Sequence, residues 1–450
     1  MDITPLDHKL QSIEKERTKQ IAPSYRVVEL DTSFGDNGRL VLKLGDRPGG
    51  PAKSIVRCHS KTPLYLASFQ GYAVPDYPVS GIAKFDDKGE LESSFGNGGS
   101  VEFRFGYPDG YCMIYGMYEA VNGDIFVWGV YGATSPQPIY IVSKLRKDGT
   151  PDSSFGKNGH CHLNQLLAPE MPELYLLSTA SVVVNSDNTV TCAIRRTTSP
   201  QVNYIVRLTS EGVLDKSFQD SGKLEIVAEG QTALVGVVAT GSNNEILVFG
   251  ESYTDSNIES FITKLDHSGK PDLEFGENGV AYISSGVATQ ITTVHVDSDA
   301  HKFTACGYVY SDELERYDSL MTRFNINGMP DKTFNKGEPA IYSFGSKLLD
   351  LWAAAGSRIN AATPSTDQIL CIGHAEDQIP DGESWNMIGR FLASGKPDDS
   401  FGGDLHFCTV DENTTLSSVT SANSFVVTGD NQILCAARYN NQAAIIALKV

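Results

Sequence analysis

The sequence predicts an all-β protein, a seven-bladed β-propeller of four-stranded antiparallel blades, on three observations. A nine-residue phrase recurs seven times, alternating apolar segments that close on tight turns precede each copy, and no period holds a convincing helix. The phrase first appears as "LDTSFGDNG" from Leu30. It returns as "LESSFGNGG" from Leu91, "PDSSFGKNG" from Pro151, "LDKSFQDSG" from Leu214, "PDLEFGENG" from Pro271, "PDKTFNKGE" from Pro330 and "PDDSFGGDL" from Pro397. Their phenylalanines, Phe34, Phe95, Phe155, Phe218, Phe275, Phe334 and Phe401, stand 61, 60, 63, 57, 59 and 67 residues apart. A period of that length is one structural unit.

Just upstream of each phrase comes a segment such as "GIAKFDDKG", "YIVRLTSEG" or "FITKLDHSG". Alternation over five or six residues that ends in Asp-Gly, Glu-Gly, Ser-Gly or Asn-Gly is a strand running into a hairpin turn, where glycine supplies the positive φ. Further upstream lies another strand with its own polar turn, as in "NGDIFVWG", "NNEILVFG" and "TDQILCIG". Each period thus holds about four short strands. One four-stranded sheet cannot bury both faces, so blades must stack around an axis. The recurring Phe reads as an apolar wedge between neighbouring blades, and the Gly after it permits close backbone approach. The phrase resembles the delta-60 repeat, a β-propeller repeat found mostly in bacterial proteins, over nearly the whole chain after residue 25. That resemblance implies the architecture and no single activity.

Strands are lettered A (inner) to D (outer). The C-terminal "AAIIALKV" is a strand that elsewhere is followed by the phrase, whereas "YRVVELDTSFGDNGRLVLKL" near the N-terminus holds the phrase without the strands before it. The N-terminal strand is therefore expected to be the outer strand of the seventh blade, pairing with the C-terminal blade to close the ring and remove a free edge. The phrase then lies on the C–D connection. Residues 25–450 form one propeller domain. Residues 1–24 form a tail with a short helix, for which Thr4 can cap, Pro5 suits the first turn, and Leu6, Leu10 and Ile13 make one stripe. That helix is either an appendage or a partner-docking element.

A net charge of −19 and a pI near 4.9 argue against nucleic acid and anionic membrane surfaces as partners. The chain holds no run of eighteen apolar residues, so no membrane insertion is expected, and its opening is charged throughout. A cytoplasmic protein, or one exported without a cleaved signal peptide, fits. Of the eight cysteines, Cys192, Cys306, Cys371 and Cys435 fall at equivalent points of the second strand in four blades, as buried free thiols would.

Catalytic motifs are absent: the chain has no G-x-S-x-G elbow, H-E-x-x-H, P-loop, dinucleotide fingerprint or paired C-x-x-C. No catalytic residue and no cofactor is assigned. "GHCH" puts His160 and His162 on one strand face, a spacing that can grip a metal but lacks a third ligand. Loop length is more informative. The A–B and C–D turns share one face and are tight, whereas the B–C and D–A connections share the other and are long. The two longest B–C segments, "YVYSDELERYDS" and "HAEDQIPDGESW", belong to neighbouring blades. They carry Tyr310, Asp312, Glu313, Tyr317, His374, Asp377, Asp381 and Trp385, and "ESYTDSNIES" adds Tyr253 and Asp255. Aromatics interleaved with carboxylates offer flat faces for stacking and acceptors for hydroxyl or ammonium donors; clustered carboxylates can also hold a divalent cation. The expectation is a binding or interaction propeller recognising a carbohydrate or protein partner through that face. The alternative is a hydrolase or lyase acting near the axial channel on the same face.

Overall fold

A computed structural model describes residues 26–450, apart from 46, 48, 74–76, 109, 133–137, 168–173, 177–181, 197–201, 227–230, 241–242, 254–257, 286, 298–300, 312–315, 343–348, 359–367, 377–383, 402–406, 418–422 and 430–431. The tail helix expected within residues 1–24 lies outside the described residues. Alternating segments become strands where the sequence places them. Blade one comprises Gly49–Arg57, Leu64–Ala73, Tyr77–Asp86 and Ser100–Phe103; blade two comprises Cys112–Glu119, Ile125–Tyr131, Ile139–Leu145 and His160–His162. Blade four is Gln231–Ala239, Ile246–Tyr253, Ile258–Leu265 and Val280–Ile283; blade five is Ala288–Asp297, Lys302–Ser311, Arg316–Asn325 and Ala340–Tyr342. Blade six is Leu349–Arg358, Gln368–Glu376, Ser384–Leu392 and Phe407–Thr409. Its sheet is joined to that of blade five by a single parallel bridge, Tyr317 to Leu349. In blades three and seven the A strand comes in two pieces, Leu174–Leu176 with Val182–Val184 and Thr414–Leu416 with Phe425–Gly429, each paired to one B strand. The remaining strands of blade three are Val190–Arg196, Val202–Leu208 and Lys223–Ile226.

Closure follows the expected pairing in part. Arg39–Leu42 pairs antiparallel with Gln442–Lys449, Arg39 opposite Ile446, and so supplies strand D of blade seven, with Gln432–Tyr439 on the other side of Gln442–Lys449. One strand is additional. Arg26–Val27 pairs in parallel with the outer strand of blade six, Arg26 opposite Cys408, so the N-terminal segment fastens two blades. Among the described residues two short helices, Leu163–Leu167 and the 3-10 turn Asn335–Gly337, are also additional to the all-strand expectation. Leu163 and Leu167 are buried against blade three because they sit on one side of a single helical turn. No described helix is long and apolar enough to cross a membrane.

The phrase builds the joint between blades. In "PDSSFGKNG" the Asp152 carboxylate accepts hydrogen bonds from the Ser154 N–H and hydroxyl, and the N–H groups of Phe155 and Gly159 turn back onto the Asp152 and Phe155 carbonyls. This fixes a compact loop that aims the ring of Phe155 sideways. Seven interblade cores result, and each contains one phrase Phe: Phe95 between blades one and two, Phe155 between two and three, and so on to Phe34 between seven and one. At six of the seven joints the next blade presents its C–D turn glycine to that ring; at the Phe401 joint blade seven takes its strand D from Arg39–Leu42 and so has no such turn. A Cβ on Gly212 would lie 3.0 Å from the Phe155 ring and 2.9 Å from the Gly156 nitrogen, and its φ is +76°. Only glycine fits such a position. At six joints the N–H after the Phe donates to the carbonyl preceding that glycine, as in Gly96 to Asp148, Gly156 to Glu211 and Gly276 to Asn327, at 2.9, 2.7 and 2.9 Å.

A second feature of the phrase went unread in the sequence. Its acidic residue pairs with the base of strand C: Lys144 with Asp152 at 3.1 Å, Arg207 with Asp215 at 2.8 Å, Lys264 with Asp272 at 2.6 Å, Arg323 with Asp331 at 2.7 Å and Arg390 with Asp398 at 2.8 Å. The same guanidinium groups lie over the phrase rings of Phe218, Phe334 and Phe401. Blade one departs, since Lys84 reaches forward to Glu119 of blade two at 3.0 Å. Blade seven departs further, with Ala447 in the basic position and Asp31 accepting from the Gln432 amide instead. Burial opposes the charge of Asp331, but the hydrogen bonds of Thr333 and Lys302 and the field of Arg323 outweigh it and hold the carboxyl well below the usual range.

Two outcomes test this joint. Phe155→Ala is expected to cost about 3–5 kcal/mol by denaturant unfolding; a loss below ~1 kcal/mol would contradict the wedge. Asp331→Asn strands Arg323 and Lys302 beside a neutral group. A carboxylate with a depressed folded pKa contributes stability that is present above about pH 4 and lost as pH falls through the folded value. The gap in thermal midpoint between Asp331→Asn and the parent should therefore be full at pH 7 and close as the pH is lowered below 4.

Candidate functional site

B strands end and C strands begin on the face opposite the tight turns, and there the structure assembles one polar and aromatic cluster from three blades. Glu251 and Tyr253 project to the same side of strand B of blade four, as the two-residue period requires. Glu251 is buried, at 8% exposure, and accepts a hydrogen bond from the Tyr253 hydroxyl. Gln290, on strand A of blade five, also bonds to Glu251. Opposite Gln290 in the A–B ladder stands Tyr308, whose hydroxyl donates to the Gln290 side-chain oxygen. Arg195 of blade three lies close enough for its charge to act on both Glu251 and Tyr253. Its Nε is buried without a hydrogen-bond partner among the described residues. Two more rings extend the cluster, with Tyr317 edge-on to Tyr308 at 5.4 Å and tilted against Tyr310 at 4.7 Å.

Burial sets the electrostatics. It raises the Glu251 carboxyl above its usual range against the opposing pull of Tyr253, Gln290 and Arg195. Burial, and then the Glu251 charge, pushes Tyr308 up to about 12, so its hydroxyl keeps its proton at neutral pH. Both phenol hydrogens point inward along the chain from Tyr308 through Gln290 to Glu251 and back from Tyr253. What remains for a visitor is the free lone pairs of two phenols and the aromatic faces and edges beside them, with the Arg195 charge behind. That set suits hydroxyl groups, which both donate and accept.

Of the residues read from the sequence, Tyr253, Tyr310 and Tyr317 are brought to this cluster. His374 and Trp385 are placed within strands, not in a loop: the ladder of blade six runs out to Glu376 opposite Ser384, with His374 facing Asn386 and Ala375 facing Trp385. Likewise blade five pairs as far as Ser311 with Arg316. The segments taken as long loops are extended hairpins, because Tyr, Val and Trp prefer a pleated ladder with cross-strand partners. Asp255, Asp312, Glu313, Asp377 and Asp381 lie outside the described residues. Glu251, Gln290 and Arg195 were missed. A carboxylate in the apolar run "EILVFGESY" was the available signal for Glu251, whereas Gln290 and Arg195 join only once three blades meet.

The histidine pair is built into blade two. His160 is buried, with Nδ1 2.8 Å from the Ser143 hydroxyl, and Gly106 is pressed against its ring. His162 stacks on Tyr107, which in turn stacks on Tyr131 at 3.8 Å with ring planes 9° apart. Among the described residues no three His, Cys, Asp or Glu side chains gather to hold a metal ion. Cys192, Cys306, Cys371 and Cys435 occupy B strands and are buried, with Cys306 and Cys371 facing each other at 3.9 Å across the joint of blades five and six.

No protein-family model matches the chain, and no curated protein matches it by sequence. Similar solved structures include the β-propeller domain of the Trilobed protease from Pyrococcus furiosus, at 9% identity over 88% of this chain and 95% of that one, with a TM-score of 0.42. Another is the acylaminoacyl peptidase of Pyrococcus horikoshii, at 9% identity over 86% of this chain and a TM-score of 0.39; the chain spans about half (49%) of that enzyme's length. A third is the subtype N11 neuraminidase-like protein of a flat-faced bat influenza A virus, at 11% identity over 81% of this chain and 95% of that one, TM-score 0.36. The seven-bladed β-propeller architecture of this chain rests on its own ladders and interblade cores.

His160 yields a pH test. Burial, and then the neighbouring His162, lower its pKa to about 4. The unfolded chain takes up this proton near pH 6.5, so the stability tied to neutral His160 is complete above that pH and is lost as pH falls toward 4. His160→Gln should therefore give a shallower decline of thermal midpoint between pH 6.5 and 4.5 than the parent. Parallel declines would show that His160 is protonated alike in both states.

Proposed function

We propose that this protein is a recognition propeller whose loop-rich face binds a carbohydrate, with the Glu251, Tyr253, Gln290 and Tyr308 network as the centre of the site. The observation that carries this reading is the hydrogen-bond chain that commits both phenol hydrogens inward and leaves phenolic acceptors and aromatic rings as the groups a ligand could meet. Sugars present that complement, with apolar ring faces and hydroxyls of both polarities. The adjacent Tyr310 and Tyr317 extend the surface, and the proposal includes Trp385, Asp312, Glu313, Asp377 and Asp381 on the sequence reading alone. The repeated phrase supports grouping the chain with delta-60 repeat propellers of bacterial type. The hydrolase reading is weaker, because the oxygens of Glu251 are occupied by Tyr253 and Gln290, which favours a positioning role over proton transfer. A protein partner on the same face is the other outcome.

The test is a screen of the purified chain against neutral and acidic oligosaccharides by thermal shift, followed by titration calorimetry. A ligand present at one hundred times its Kd should add about 2.7 kcal/mol to the folded state. Tyr308→Ala and Tyr253→Ala should each weaken the hit about tenfold or more, as expected for losing a stacking ring and its hydroxyl, and Trp385→Ala should follow. Unchanged affinity in all three would remove this face from the reading, and silence across the panel would direct the search to a protein partner by pull-down.

A further inference from the structure

The tight-turn end of the ring, expected to be scaffold, contains a cavity of about 260 Å³ on the axis, where the A strands of blades two to five converge near their A–B turns. Val184, Val238 and Val294 wall it from three blades, and Phe249 and Trp128 reach it from B strands. Trp128 gets there because Gly116 stands opposite it in the ladder. A Cβ at Gly116 would lie 2.3 Å from Trp128 Cζ2 and 3.0 Å from its Nε1, so the missing side chain is what lets the indole cross strand A. Phe249 faces Gly236 in the same way in blade four.

Trp128 is 2% exposed, and its Nε1 is buried with no hydrogen-bond partner among the described residues. A buried donor without an acceptor is costly and uncommon in native proteins. The described lining contains no Lys, Arg, Asp or Glu, so an ionic guest would give up hydration with no counter-charge to replace it. Burial also holds the lining His295 below its usual pKa, which keeps the imidazole neutral at physiological pH. We propose that the cavity is a binding site for a small, neutral, aromatic or apolar molecule bearing one hydrogen-bond acceptor, which takes the N–H of Trp128. Valine walls and two aromatic rings supply the dispersion and burial, and the indole fixes orientation. The site is independent of the carbohydrate reading, which concerns the other face.

The experiment uses the full chain labelled with 15N-tryptophan, whose three tryptophans give three indole N–H resonances, and two probes of matched shape. Acetophenone carries a carbonyl acceptor and ethylbenzene does not. Acetophenone is expected to shift one indole resonance saturably, the one that disappears in Trp128→Phe, and to bind roughly tenfold more tightly than ethylbenzene, the worth of one hydrogen bond. Trp128→Phe should bring the two affinities together. Val238→Phe, which fills the cavity from another blade, should abolish the response while the other indole resonances stay in place, and it keeps the test decisive if Trp128→Phe does not fold. Equal affinity for both probes in the parent, a persistent response in Val238→Phe, or an indole that exchanges with water and responds to neither probe would each overturn the proposal.

Discussion

The ring depends on one contact, the phrase phenylalanine set against the next blade, at six of the seven joints against that blade's turn glycine. Burying a Phe at every joint supplies the apolar driving force. The accompanying backbone bond, from the N–H after the Phe to the carbonyl before the glycine, converts that non-directional force into a fixed spacing. A ring closes only if each step turns by nearly the same angle, and a repeated hydrogen bond with a repeated wedge gives that uniformity. The ion pairs of strand C with the phrase carboxylate brace the hairpin within each blade. Buried pairs of this kind specify geometry more than they add net stability, which suits a part whose shape must be copied seven times.

Much of the fold was legible for the same reason. The phrase is local, so its turn glycines, its Asp and its Phe can be read without knowing the partner, and the displaced phrase at the N-terminus revealed how the ring closes. The strand C base was equally visible in "IVRLTSEG" and "MTRFNING", yet its tie to the phrase crosses a hairpin and shows only in the folded ladder. The candidate site was legible in part. Tyr253, Tyr310 and Tyr317 stood out as aromatics beside carboxylates, whereas Arg195, Glu251 and Gln290 come from three successive blades and owe their proximity to curvature of the ring. His374 and Trp385 were assigned to a loop because hairpin length is set by cross-strand pairing, which composition alone does not report.

The two ends of the axis have opposite chemistry, and the strand register explains why. Toward the long connections the A and B strands carry Gln290, Glu251 and Tyr308, polar groups that bond to one another and to Tyr253. Toward the tight turns the same strands carry valines, and glycines at Gly116 and Gly236 let large rings from the second strand reach the centre. One architecture therefore offers a wet, hydrogen-bonding face and a dry axial recess without any change in the repeat that builds both.

The closure of blade seven has a consequence for biosynthesis. Asp31 and Gln432, which hydrogen-bond across the seam, are 401 positions apart, and Arg39–Leu42 finds its partner only when Gln442–Lys449 has been made. Blades one to six can form as the ribosome delivers them, each docking on its predecessor, while Arg39–Leu42 waits with an unsatisfied edge. Until Gln442–Lys449 is made the blades form an open arc with two unpaired edges, and that eight-residue strand turns the arc into a closed, edge-protected body.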